Sequence, residues 1–302
     1  MNGIINLLKP PCLSSAQAVS FIKRLTGQKT GHAGTLDPEA CGVLPIMIGK
    51  ATSLFDYIAE HQKVYVTEIA FGTATDTQDA TGLVMQKGFN YPDSDALRSV
   101  LDDFKGTVMQ VPPSFSAIKR DGKALYALAR AGEMVEVPAR PVKIQDIVLL
   151  SQTADHGFLL RVTCGKGTYI RTLCHDIGQR LGCPAHMRLL IREKTGPFCI
   201  NRAITMEEFE ACVHSGTDSG PWLLSMEETI AHLPRLSVRE ELWKPCVNGV
   251  AIALAEAPGA QEMGDGSVAV LRCRGILIGL YEKRGGMLCI KTMLIDRESI
   301  VS

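Results

Sequence analysis

The 302 residues predict an α+β protein: one large domain around a mixed, mostly antiparallel central sheet, followed by a small β-rich module at the C-terminus. Three observations carry that prediction. Strand-like and helix-like segments interleave without the strict repeat of a parallel βαβ array. Beyond Pro234 the chain breaks into short β-type runs, Val268 to Cys273, Ile276 to Glu282 and Leu288 to Met293, separated by glycines in the manner of a small barrel. At 46% hydrophobic residues the chain can fill one generous core and a second small one, with the boundary expected between 1–234 and 235–302.

Residues 3 to 8 form an apolar strand ending at Lys9-Pro10, and Ser14 or Ser15 can cap a helix whose apolar stripe is Val19, Ile22 and Leu25. Gly31 to Pro45 then reads as a loop holding one carboxylate. Gly31, Gly34 and Gly42 let the backbone turn and approach a ligand, while Pro38 bars the segment from a strand and pushes Asp37 into an extended conformation. Taken alone, Asp37 reads as a helix N-cap. Val43 to Gly49 is a buried strand, Ala51 to Glu60 a helix, and Lys63 to Gly72 a strand carrying Tyr65. Asp76, Asp79 and Gly82 fall in a polar loop that reads as scaffold, before an amphipathic helix from Asp93 to Phe104.

From about 106 to 142 the composition changes. Two proline-rich ends flank a short helix through Tyr126 and Arg130, with Lys119, Arg120, Lys123 and Arg140 nearby, so this part reads as an excursion from the sheet. Val142 to Leu150 and Phe158 to Cys164 are two further strands. Thr168 can then cap a helix with Ile170, Leu173, Cys174, Ile177 and Leu181 as its buried stripe and Gly182 as its stop. Arg171 falls in the first turn, where a cation opposes the helix macrodipole and calls for an anionic partner. His186, Arg188, Arg192 and Lys194 form a basic strand ending at Gly196-Pro197-Phe198, and Thr205-x-x-Glu208 and Ser225-x-x-Glu228 are capping boxes.

Lys+Arg 32 balances Asp+Glu 32, so the chain lacks the global positive field of a loose nucleic-acid coat. The 10 cysteines show neither Cys-x-x-Cys nor a zinc spacing and read as reduced thiols, and no apolar run nears a membrane span, so a cytoplasmic protein is expected. Gly165-Lys166-Gly167 lacks the spacing of a phosphate loop. Cys174-His175-Asp176 cannot form a hydrolytic relay, because consecutive helical residues point about 100° apart.

Two stretches are longer and more specific than any of these patterns. Gly31-His32-Ala33-Gly34-Thr35-Leu36-Asp37-Pro38-Glu39-Ala40-Cys41-Gly42-Val43-Leu44-Pro45 resembles the catalytic motif of the TruB-type tRNA pseudouridine synthases, and Lys166-Gly167-Thr168-Tyr169-Ile170-Arg171 resembles a second motif of that family. The N-terminal turn keeps Lys9, Pro10, Ser14 and Ser15 but has Cys12 where the family has glycine. The resemblance implies a pseudouridine synthase fold with a C-terminal PUA-like RNA-binding module. It implies isomerisation of a T-loop uridine of tRNA, position 55, by base flipping, without metal, nucleotide or other cofactor, in a monomer. It makes Asp37 the catalytic carboxylate, Arg171 its partner and Tyr65 the ring that stacks on the uracil and could take its C5 proton. It also implies that Arg171 keeps the buried Asp37 charged. His32, Lys9, Lys119, Tyr169 and Arg188 become substrate-binding residues, the basic strand with His186, Arg188, Arg192 and Lys194 a contact to RNA backbone, and the 106–142 insertion a clamp on the T stem-loop. The rival readings are a tRNA-binding folding chaperone without catalysis and a cysteine hydrolase.

Overall fold

The computed structural model describes residues 2–113, the backbone of 119–120 and 123–124, and residues 137–217 and 219–295. The expected helix through Tyr126 and Arg130 and the side chain of Lys119 lie outside the described residues.

The chain opens with β1 (Gly3–Lys9), whose burial is nearly continuous because both faces are covered, and α1 (Ser15–Thr26). Ser14 caps α1 in a capping box with Gln17. In the turn between them Cys12 has φ +59°, a left-handed conformation that costs a side chain about 1–2 kcal/mol and glycine nothing. Cys12→Gly is therefore expected to raise the unfolding free energy by about 1 kcal/mol, read as a higher denaturant midpoint.

Next come β2 (Thr30–His32), β3 (Cys41–Ile48), a 3-10 turn over Gly49–Leu54, and α2 (Phe55–Ala59), so the expected helix from 51 to 60 is half 3-10 turn. The strand β4 (Lys63–Phe71) alternates its burial, placing Lys63, Tyr65 and Thr67 on one face. A hairpin of β5 (Thr73–Thr75) and β6 (Val84–Lys87) precedes α3 (Ser94–Leu101), β7 (Gly106–Gln110) and the two-residue strands β8 (Lys119–Arg120) and β9 (Lys123–Ala124). Then follow β10 (Arg140–Gln152), β11 (Gly157–Cys164), α4 (Ile170–Arg180), β12 (Ala185–Thr195), β13 (Phe198–Cys199), α5 (Met206–His214), β14 (Leu223–Leu224) and α6 (Met226–Thr229). Thr205 and Ser225 close the two expected capping boxes.

The large sheet runs β14-β1-β3-β12-β4-β11-β10-β7, with β2 on β3 and β13 on β12. Among the described residues its pairings are antiparallel except that of β12 with β3, where Ile191 faces Cys41 and Arg192 faces Gly42. This single parallel join lies where the Asp37 loop enters β3.

A second sheet orders β15 (Arg235–Val238), β17 (Val268–Cys273), β18 (Ile276–Arg284), β19 (Met287–Met293) and β16 (Ile252–Ala253), with α7 (Trp243–Val247) beside it. Among the described residues no pairing of β15 with β16 closes it, so it is an open sheet rather than the expected barrel. An apolar seam joins the two sheets: Ile4, Val43, Met47 and Leu54 pack with Val270, Leu280 and Leu294.

Candidate active site

The loop from Ala33 to Ala40 is held at several points. Ser15 Oγ accepts from the Leu36 N–H at 2.9 Å and donates to the Leu36 carbonyl at 3.0 Å, so Ser15 ties the loop while Ser14 caps the helix. Lys9 is completely buried, and its ammonium donates to the carbonyls of Pro10, Leu13 and Pro38 at 2.7, 2.6 and 3.0 Å. Burial pulls its pKa down, opposed by the nearby Cys41, Glu39 and Asp37. Lys9 thus fastens the loop; with its three donors engaged on backbone, it does not offer the substrate contact expected of it.

Arg192, 1% exposed, holds both ends of the loop, donating from Nε to the Val43 carbonyl at 2.7 Å and from Nη2 to the Gly34 carbonyl at 2.9 Å. Gly42, at φ +112°, lies so close to the Arg192 backbone that a Cβ there would sit 2.3 Å from its carbonyl oxygen. The expectation that Arg192 reaches RNA is corrected: strand alternation turns it inward.

Asp37 projects from this loop into a cavity of about 310 Å³ lined by Tyr65, Lys63, Tyr169, Arg171 and Arg192 among others. Arg171 Nη2 lies 3.6 Å from Asp37 Oδ1 and Nη1 lies 3.7 Å from Asp79 Oδ2. One guanidinium thus spans two carboxylates. The Asp37 side chain keeps 37% of its surface toward the cavity, yet burial raises its pKa above the usual 3.8; Arg171 pulls it down, Asp79 pushes it up and Lys9 pulls it down. Desolvation is the largest influence and the Arg171 cation opposes it, as expected of the pair.

Asp79 is the residue that sequence reasoning took for scaffold. Its Oδ1 accepts from the hydroxyls of Thr77 and Thr81 and from the Thr81 N–H, leaving Oδ2 for Arg171. Gln78, at φ +63°, presses the loop against α4 and β12 by accepting from the Thr172 hydroxyl and from the Met187 N–H. An Asp-Thr-Gln-Asp run reads as a surface turn, and only the tertiary contacts give it another place.

Arg171 is the second residue of α4, but the cap is Tyr169, without a side-chain bond; Thr168 donates instead to the Gly165 carbonyl. Gln110 supplies the missing acceptor, taking the Tyr169 N–H at 3.0 Å and donating back to its carbonyl at 3.2 Å. The Arg171 guanidinium lies 5.8 Å from the centre of the Tyr169 ring.

Tyr65 lines the cavity at 9% exposure. Burial raises its phenol pKa, with Arg192 opposing, so the hydroxyl stays protonated, which weighs against the expected proton-acceptor role. Lys63, on the same face, is lowered to about 8 by burial and by Arg192. His32 stands apart from the cavity lining, on β2, with its Nδ1 buried and without a hydrogen-bond partner among the described residues. Arg188 pairs with Glu68 at 3.1 Å, away from the cavity lining. Cys174 is buried with its thiol raised to about 12, which suits no nucleophile. In the second sheet Arg239, Arg272, Arg274, Arg284 and Lys291 each lie against a glutamate. Among the described residues no helix is long and apolar enough to cross a membrane and no cluster of His, Cys, Asp and Glu could hold a metal ion.

Known proteins match over nearly the whole chain. The TruB family pseudouridylate synthase N-terminal domain matches residues 23–170, and the tRNA pseudouridylate synthase B C-terminal domain matches 171–231, so the second sheet lies beyond both. The tRNA pseudouridine synthase B of Bacillus licheniformis is 42% identical over 86% of this chain and 85% of its own, and that of Bacillus subtilis 40% over 93% of each. The crystal structure of a Cbf5-Nop10-Gar1 complex contains a chain that superposes with a TM-score of 0.76 at 26% identity, covering 98% of this chain and 86% of that one. With both family domains matched in order across most of its length, and with relatives of this identity spanning it, the chain belongs to the TruB family of pseudouridylate synthases.

Proposed function

We propose that this chain converts uridine to pseudouridine in the T loop of tRNA, at position 55, with Asp37 as the catalytic carboxylate. The observation that carries the reading is the placement of Asp37: one carboxylate, fixed by a clamped loop, at a cavity of base size and 3.6 Å from a buried guanidinium. The names of the relatives, tRNA pseudouridine synthase B, support tRNA as the substrate.

The reaction breaks the N1–C1′ bond, turns the uracil while it stays bound, and forms a C5–C1′ bond. The C5 proton leaves and N1 gains one, so atoms balance with no oxidant, metal or phosphate donor. The uridine first leaves its stack, at a cost of a few kcal/mol, which the Tyr65 ring recovers by stacking on the extruded base. Asp37 then acts at the ribose, by attack on C1′ or by removal of the C2′ proton. Arg171 holds the carboxylate in place, and Asp79 holds Arg171. The 106–142 segment serves as the clamp on the T stem-loop and the C-terminal sheet as an accessory RNA surface. The protein works as a cytoplasmic monomer without cofactor.

The test uses an unmodified tRNA transcript carrying tritium at uridine C5, incubated with the protein and no additive. One equivalent of tritium released per tRNA, with pseudouridine mapped at position 55, is the expected result. Tight tRNA binding with no release overturns the proposal in favour of a chaperone.

A further inference from the structure

The geometry points to a nucleotide subsite on the rim of the cavity, in which Phe55 stacks on the base of a nucleotide next to the target uridine and Lys166 takes its phosphate; this rests on the function proposed above. Phe55 begins α2 and lines the cavity, yet it is 45% exposed. The apolar needs of that segment are already met by Leu54 and Ile58, both fully buried. The half-exposed Phe55 ring therefore presents to the cavity an aromatic face that the packing of α2 does not use.

The opposite rim is the loop Gly165-Lys166-Gly167, and Lys166 also lines the cavity. Its ammonium bonds to Glu60, the residue that ends α2, while both side chains remain more than half exposed. An exposed ion pair of this kind is weakly held, so it yields readily to a phosphate. Phe55 begins α2 and Glu60 caps its end, so the Lys166–Glu60 pair ties the opposite rim to the helix that carries the ring, and ring and cation line one cavity.

A ring beside a cation fits single-stranded nucleic acid without base preference, because every base has a π face and every link a phosphate. The position suits a flanking nucleotide. With the target base between Tyr65 and Asp37 as proposed above, a flanking nucleotide would meet Phe55 and Lys166, which line the same cavity.

Steady-state tritium release from the tRNA transcript, over a range of salt, tests the subsite with Phe55→Ala, Phe55→Tyr, Lys166→Ala and Glu60→Gln. Phe55→Ala is expected to raise KM about tenfold with kcat within about twofold, and Phe55→Tyr to restore KM. Lys166→Ala is expected to raise KM and to reduce the slope of log(kcat/KM) against log salt by about 0.7–0.9, the loss of one phosphate contact, whereas Phe55→Ala leaves that slope unchanged. Glu60→Gln, which frees Lys166, is expected to lower KM at low salt. An unchanged KM in Phe55→Ala, a loss confined to kcat with a lowered melting temperature, or an unchanged salt slope in Lys166→Ala overturns the subsite. Wild-type protein that releases no tritium rejects the underlying function instead.

Discussion

Asp37→Asn is expected to release no tritium above background from a tRNA transcript that it still binds. The amide keeps the shape of the carboxylate but can neither attack C1′ nor accept a proton from C2′. The loop should survive the change, because Ser15, Lys9 and Arg192 hold it through the backbone of Leu36, Pro38, Gly34 and Val43. Stability supplies the control. Burial raises the folded carboxyl above the 3.8 of an ordinary aspartate, so the folded protein binds that proton more tightly than the unfolded chain. The stabilisation from this group is full below about pH 3.8 and is lost as pH rises through the folded value. At neutral pH ionised Asp37 is thus a cost to the fold, and the Asn variant should melt no lower than the wild type. The same raised value should appear as an acid limb in wild-type kcat/KM above pH 3.8, with activity rising as the carboxylate forms.

Arg192→Met is expected to lower the unfolding free energy by about 3 kcal/mol and to cost most of the activity, although Arg192 belongs to no expected catalytic set. Hydrogen bonds from a charged donor contribute about 1.5–3 kcal/mol each, and Arg192 makes two, to Val43 and Gly34. Removing the desolvated cation returns part of that sum. What remains is a loop open at both ends, with two buried carbonyls lacking their donors and Tyr65 without the guanidinium beside it. Denaturant midpoint and tritium release measure the two effects. Arg192→Lys, which keeps the charge but not the two-pronged reach, should recover stability better than activity.

The Asp37 loop and the α4 start were readable because their signals are local. Glycines, Pro38 and an apolar run declare a constrained loop within fifteen residues, and a cation in the first turn of a helix is a local misfit that asks for a distant anion. Lys9 and Arg192 were misread for a shared reason. A basic side chain on a strand has no sequence mark of which way it points, and lysine and arginine are so seldom fully buried that outward is the natural assignment. Asp79 and Gln110 left no mark either, since each acts on α4 from a segment far away in the chain. The 3-10 turn before α2 was hidden by its sequence: Lys50, Ala51, Ser53 and Leu54 suit either helix.

The parallel join of β12 with β3 has a bearing on the birth of the protein. Arg192 and the Val43 carbonyl it fastens are 149 residues apart, so the pairing that locks the loop has high contact order. At a translation rate of about 5–20 residues per second, roughly 7–30 s pass between the emergence of the loop and that of its last clamp. During that time the nascent chain has its aspartate, its serine tether and its lysine, and no site. A chain interrupted before β12 therefore carries the Asp37 loop without the side chain that fastens both its ends.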